Sequence, residues 1–229
     1  MTNTQLGLFT SPSFVPPKII QVFDWEKKPF FALDIETTGL DAAANKVIEL
    51  ALVPFNLPKE QTINQLLFIE EPIPKEIETI TGINDSMLKG KPKFAQIADK
   101  LLQNIASAEF IVAYNAKFDK PFVESELARV GKVLPNIPWI DPFVFICELD
   151  RYKKGKKLLD AAKRWGVELT DAHRAYNDAL AAGELMLKLS NAIGINCLFE
   201  LFDKQTVLFW QNAHSRSEFQ KKQEWSINR

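Results

Sequence analysis

The chain reads as an α/β domain, a mixed five-stranded sheet with helices packed on its faces. Strand-like and helical apolar periods carry that reading: three strand-like runs open the domain, and helices and strands alternate after them. The first run, residues 30–40, is F-F-A-L-D-I-E-T-T-G-L and ends in two carboxylates. Residues two apart on a strand share a face, so Asp34 and Glu36 project together from the end of a buried strand. Two anions so placed repel and lose hydration unless a cation lies between them. Mg²⁺ and Mn²⁺ take oxygen ligands of this kind. D-x-E alone is equally a strand ending in solvent, so partners must come from elsewhere in the chain.

Residues 46–55 (K-V-I-E-L-A-L-V-P-F) give a second strand and 61–70 a third, an antiparallel meander with the first. Pro72, Pro74 and Thr81-Gly82 mark a loop region. Phe94, Ile97, Leu101, Leu102 and Ile105 fall at helical spacing. Residues 109–116 form a short apolar strand, and Lys117-Phe118-Asp119-Lys120 leads into a helix ending near Val130. Residues 139–145 are the fifth strand candidate, and 158–165 and 172–193 read as helices. Before the domain, residues 1–28 form an extension whose period is broken by Ser11, Pro12, Pro16 and Pro17. After it, residues 195–229 read as one or two amphipathic helices, with Phe199, Leu201, Phe202, Leu208, Phe209 and Trp210 expected to pack on the domain.

The 229 residues, 46% hydrophobic and 25% charged, suit a globular chain with a sizeable core. No apolar run approaches the length of a membrane span and no secretory signal opens the chain, so no membrane partner and a cytoplasmic location are expected. Cys147 and Cys197 lack metal-type spacing and are expected to be reduced and packed. A net charge of −1 removes the class of broadly basic, DNA-coating proteins and leaves room for an enzyme that grips a few nucleotides.

Two more acids have the right setting. Asp119 ends A-Y-N-A-K-F-D after a buried-looking strand, and Asp178 lies on a helix in H-R-A-Y-N-D-A. With Asp34 and Glu36 they can converge at one end of the sheet. His173 stands five residues before Asp178, and the only other histidine is His214. Together these motifs resemble those of the DnaQ-like 3′–5′ exonucleases of the DEDDh type, the family of the proofreading epsilon subunit of bacterial DNA polymerase III. F-A-L-D-I-E-T-T-G-L is similar to the first motif, V-A-Y-N-A-K-F-D to the second and H-R-A-Y-N-D-A-L to the third; I-T-G-I at 80–83 and K-L-L-D-A-A-K-R-W-G-V at 157–167 fit the intervening pattern. The resemblance spans about residues 29–190 and puts an exonuclease domain at 29–194. A sister type carries tyrosine four residues before the last Asp; Arg174 stands there, so Tyr176 does not qualify and the histidine type is matched.

The resemblance implies a ribonuclease H-like fold and hydrolysis assisted by two divalent ions, Mg²⁺ or Mn²⁺. Asp34, Glu36 and Asp178 would hold the ion that binds the attacking water, Asp34 would bridge to the second, and Asp119 would serve that site mainly through water. His173 would be the general base, and nucleoside 5′-monophosphates would leave the 3′ end. By the same analogy the Thr37 backbone and Glu36 meet the terminal 3′-hydroxyl, Leu40 wedges against the last base, and Asn115 and Phe118 line the pocket; core packing is the competing reading for Leu40 and Phe118. The basic run Arg151, Lys153, Lys154, Lys156 and Lys157 either holds phosphates or is a solvated loop, and Asp141 and Asp160 read as structural.

Gln5-Leu6-Gly7-Leu8-Phe9 resembles the Q-L-x-L-F peptide by which bacterial replication and repair proteins dock on the sliding clamp, with Gln5, Leu6, Leu8 and Phe9 as the partner-binding residues. The expected substrate is single-stranded DNA or a DNA 3′ end, with RNA 3′-end processing as the alternative. The epsilon subunit carries its clamp peptide after the domain rather than before it, so a stand-alone, clamp-recruited exonuclease is preferred over the polymerase subunit itself. A catalytically idle binding module is the third class, opposed by the complete acid set and His173.

Overall fold

The computed structural model describes residues 24–227, with side chains as far as Ala213. Its sheet contains β1 (Phe30–Thr37), β2 (Val47–Phe55), β3 (Ile63–Leu66), β4 (Phe110–Val112) and β5 (Trp139–Ile140), in the order β3-β2-β1-β4-β5. β1, β2 and β3 form the antiparallel meander, whereas β4 and β5 run parallel to β1. The C-terminal ends of β1, β4 and β5 therefore open on one edge. The helices are α1 (Lys75–Thr81), α2 (Asp85–Leu88), α3 (Phe94–Ile105), α4 (Asp119–Arg129), α5 (Pro142–Leu149), α6 (Leu158–Trp165), α7 (Ala175–Ile193) and α8 (Leu198–Ile227).

Alternation along β1 divides the core. Phe31, Leu33 and Ile35 face Phe94, Leu101 and Ile105 of α3 and Phe122 and Leu127 of α4. Phe30 and Ala32 face the opposite layer, built from α5, α6, α7 and the start of α8. Asp34 and Glu36 continue this second face, beneath α7. The helix comes close because Gly183 lacks a side chain: a Cβ there would lie 2.4 Å from the Phe55 ring and 3.0 Å from the Ala32 Cβ.

Several expected elements shift. Residues 139–145 do not form one strand: β5 stops at Ile140, and the Asp141 carboxylate accepts from the Phe143 N–H at 2.9 Å as the N-cap of α5, with Pro142 at the first helical position. β3 and β4 are shorter than their apolar runs, and the 72–82 loop region holds α1, with α2 just beyond it. Of the expected 1–28 extension only residues 24–28 are described, and within them Trp25 is fully buried, its indole donating to the Ile195 carbonyl at 2.7 Å.

The C-terminal segment is one helix and only partly packed. Leu201 and Leu208 are buried, but Phe199 and Trp210 are 72% and 67% exposed, contrary to the expected packing of the aromatic residues. Gln205 of α8 covers the edge of β5. Its side chain accepts from the Asp141 N–H at 2.5 Å and donates to the Trp139 carbonyl at 2.9 Å, supplying the bonds of an absent neighbouring strand. Among the described residues no single helix is long and apolar enough to cross a membrane. Cys147 and Cys197 are half-buried and are not joined in a disulfide.

Gly183→Val forces α7 away from Phe55 and Ala32. Urea unfolding is expected to show a loss of about 1–3 kcal/mol.

Candidate active site

The four predicted acids and the histidine reach the same edge by different routes. Asp34 and Glu36 come from the end of β1. Asp119 is the first residue of α4, and Asp178 lies in the first turn of α7, so each helix N-terminus offers its anion a favourable field. The turn carrying Asp119 is held by Asp141, whose carboxylate accepts from the Asn115 N–H at 2.8 Å and the Ala116 N–H at 3.1 Å. Asn115 adopts left-handed backbone there, φ 67°. Burial pushes the Asp141 carboxyl up to about 6, against the three backbone N–H groups that favour its anion. Asp141 is structural, as expected.

Among the described residues Glu36, His173 and Asp178 come together, one ligand atom from each lying within 4.8 Å of the others. His173 is exposed, with left-handed backbone at φ 71°, and its N–H donates to Asp178 Oδ2 at 3.1 Å. The other Asp178 oxygen, Oδ1, is buried without a hydrogen-bond partner. Electrostatics point the same way. Burial, then the Asp178 and Glu49 charges, push the Glu36 carboxyl up to about 8. Asp34 is held well above the ordinary carboxylate range by burial and then by Asp119, Asp178 and Glu36. Asp119 is raised chiefly by burial, although its own N–H and that of Ile35 favour the anion. Asp178 is raised by burial too. An unpartnered buried carboxylate oxygen among mutually repelling acids fits a divalent cation, which would satisfy the oxygen and relieve the repulsion.

The proposed substrate contacts fall in distinct settings. Leu40 is 86% exposed on the loop after β1, which removes core packing as its role. Phe118 packs inward, its ring 5.0 Å from that of Phe122. Thr37 is buried, and its hydroxyl donates to the Gly39 carbonyl at 2.6 Å. In the basic run, Arg151 pairs with Glu148 at 2.5 Å and Lys156 turns back to the Asp150 carbonyl, while Lys153, Lys154 and Lys157 are exposed. Asp160 lies against Gly155 at the start of α6. Gln5, Leu6, Leu8 and Phe9 lie outside the described residues.

One residue was missed. Glu49 is 1% exposed on β2, paired across the sheet with Glu36, and it grips Arg174 beside His173. Its place in an apolar strand run was the available signal.

A mixed sheet with an acid cluster on the edge where its parallel strands end defines a nuclease-like domain, and the comparisons place it further. The exonuclease family model RNase_T matches residues 31–186. The chain belongs to this family of nuclease hydrolases and shares its DnaQ-like DEDDh fold. It is similar to the PolC-type DNA polymerase III of Halalkalibacterium halodurans, 35% identical over 165 residues that make up 70% of this chain and 11% of the polymerase. The chain thus spans about a tenth of the PolC-type relatives. It is also similar to the DNA polymerase III subunit epsilon of Treponema pallidum, 31% identical over 72% of this chain and 80% of that subunit. Among solved structures, E. coli exonuclease I in complex with a dT13 oligonucleotide has the same fold: TM-score 0.62, 18% identity, over 72% of this chain and 41% of that one.

Raised carboxyl pKa values mean that the folded, metal-free protein binds more protons than the unfolded chain. For Glu36 that stability is complete below the ordinary 4.5 and is lost as pH rises through about 8. Thermal unfolding in chelator is therefore expected to show Tm falling across this range. Mn²⁺ at the upper end should restore it, at roughly 2–4 °C per kcal/mol of repulsion relieved. Asp34→Asn should raise the metal-free Tm at the upper end and blunt the Mn²⁺ effect.

Proposed function

We propose that the protein is a cytoplasmic, metal-dependent 3′–5′ exonuclease that shortens DNA one nucleoside 5′-monophosphate at a time and is recruited to a sliding clamp. The observation that carries the chemistry is the convergence of Glu36, His173 and Asp178, with an orphaned Asp178 oxygen, beside Asp34 and the buried Asp119. Asp34, Glu36 and Asp178 would hold one ion, and Asp34 with Asp119 would hold the other. Bound there, Mg²⁺ or Mn²⁺ supplies charge stabilisation to the attacking and leaving oxygens. His173 takes a proton from the attacking water, whose oxygen bonds to phosphorus as the bond from phosphorus to the preceding 3′-oxygen breaks, and that oxygen leaves with the bonding pair and takes a proton from solvent. The His173 backbone N–H, donating to Asp178 Oδ2, ties the loop that carries the base to the metal-binding acids.

Leu40, projecting from the loop after Thr37, stacks against the terminal base, and Asn115 and Phe118 border its pocket. Kinship with proteins named DNA polymerase III supports DNA as the substrate. Anchoring of α8 on β5 through Gln205, Leu201 and Leu208 is unlike a loose linker to a polymerase, which supports a stand-alone enzyme. Docking on the clamp falls to Gln5, Leu6, Leu8 and Phe9.

Matched DNA and RNA oligonucleotides labelled at either end test the activity in Mg²⁺. Stepwise DNA loss from the 3′ end, abolished in Asp34→Ala, is expected; preferential RNA digestion would move the role to RNA maturation. His173→Ala should keep the Mn²⁺ stabilisation yet lower kcat by about 10²–10⁴-fold, and unchanged turnover would remove it as the base. In a clamp-binding assay, Leu8→Ala with Phe9→Ala should abolish binding; if binding survives the double change, docking lies elsewhere.

A further inference from the structure

Glu49 has no part in the chemistry above, yet it is a buried anion placed directly across the sheet from Glu36. Its carboxylate accepts from Arg174 Nη2 at 2.8 Å and Nε at 3.4 Å, and from the Ala175 N–H at 3.2 Å. Arg174 is the N-cap position of α7 and follows His173 directly. The exposed loop before it has few ties. Leu169 packs on the core, the Asn177 side chain reaches the Asp171 carbonyl at 3.5 Å, and His173 N–H meets Asp178. His173 also holds a left-handed conformation uncommon for a residue with a side chain.

Resting on the exonuclease reading, we infer that Glu49 and Arg174 are a positioning pair that holds the start of α7 and thereby sets the His173 imidazole over Glu36 and Asp178. Stability alone is a poor reason for the pair, since apolar residues of similar volume commonly replace a buried ion pair without loss. Geometry is a better one. The planar guanidinium grips both carboxylate oxygens in one orientation, which a lysine does not reproduce.

Two substitutions separate positioning from bulk stability. Glu49→Gln keeps the shape and an acceptor for Ala175; Arg174→Lys keeps the charge and loses the fork. Each is expected to lower kcat on a DNA oligonucleotide about 10–100-fold with little change in KM and with Mn²⁺ stabilisation retained. In a His173→Ala background, either should cost less than about twofold more, because both act through the same side chain. A second readout needs neither metal nor substrate. Labelling with ¹⁵N-histidine leaves two backbone signals, His173 and His214, which His214→Gln assigns. Either substitution should shift the His173 signal and speed its hydrogen exchange while leaving His214 unmoved. Equal losses with and without His173, or a His173 signal that stays fixed in both variants, would overturn the inference. An inert wild-type protein whose His173 signal still moves would overturn the exonuclease reading and support the positioning.

Discussion

Mutual repulsion among carboxylates at one sheet edge is the constraint on which the rest of this structure depends. Asp34, Glu36, Asp119 and Asp178 are all held above the ordinary carboxylate range, with burial the largest cause in each. Left to themselves, such groups would separate or keep their protons. The fold prevents separation. β1 runs between β2 and β4 with both faces filled, and Gly183 lets α7 descend onto it. Two helix N-termini then present Asp119 and Asp178 to the edge from opposite layers, each offsetting part of the repulsion.

Two supports, one on each side, keep the edge in shape. On the β5 side, Asp141 caps α5 and simultaneously fixes the turn before Asp119, while Gln205 of α8 fixes the Asp141 backbone. The C-terminal helix is thereby joined to the second acidic motif through one residue. On the β2 side, Glu49 takes hold of Arg174 and the first N–H of α7. Asp34 and Glu36 are thus placed by the sheet ladder, and Asp119 and Asp178 by backbone that a buried carboxylate has fixed.

Much of this was legible in the chain, for reasons tied to particular residues. The apolar run ended by D-x-E marked the strand, whose Phe30 and Ala32 fill one layer and Phe31, Leu33 and Ile35 the other, and the two-residue strand repeat put Asp34 and Glu36 on a shared face. Where apolar character was uniform, period failed. Residues 142–146 (P-F-V-F-I) are apolar enough for either element, and the deciding signals were local: Asp141 as a cap and Pro142 at the first helical position. α1 and α2 were hidden by the prolines and Gly82 around them. Glu49 showed only as an acid in an apolar run, with nothing beside it to say what it holds. An acid inside V-I-E-L-A-L-V has meaning only through Arg174, 125 residues away. The exposure of Phe199 and Trp210 likewise depends on how α8 lies on the sheet edge, which its composition does not encode.

Anomalous diffraction from a crystal of the protein soaked in Mn²⁺ tests the metal centre most directly. Two peaks about 3.5–4 Å apart are expected, one among Asp34, Glu36 and Asp178 and the other between Asp34 and the side of Asp119, with the His173 imidazole outside both coordination shells. An acid cluster without Mn²⁺, or a single ion ligated by His173, would contradict the two-ion site and the histidine's role as base.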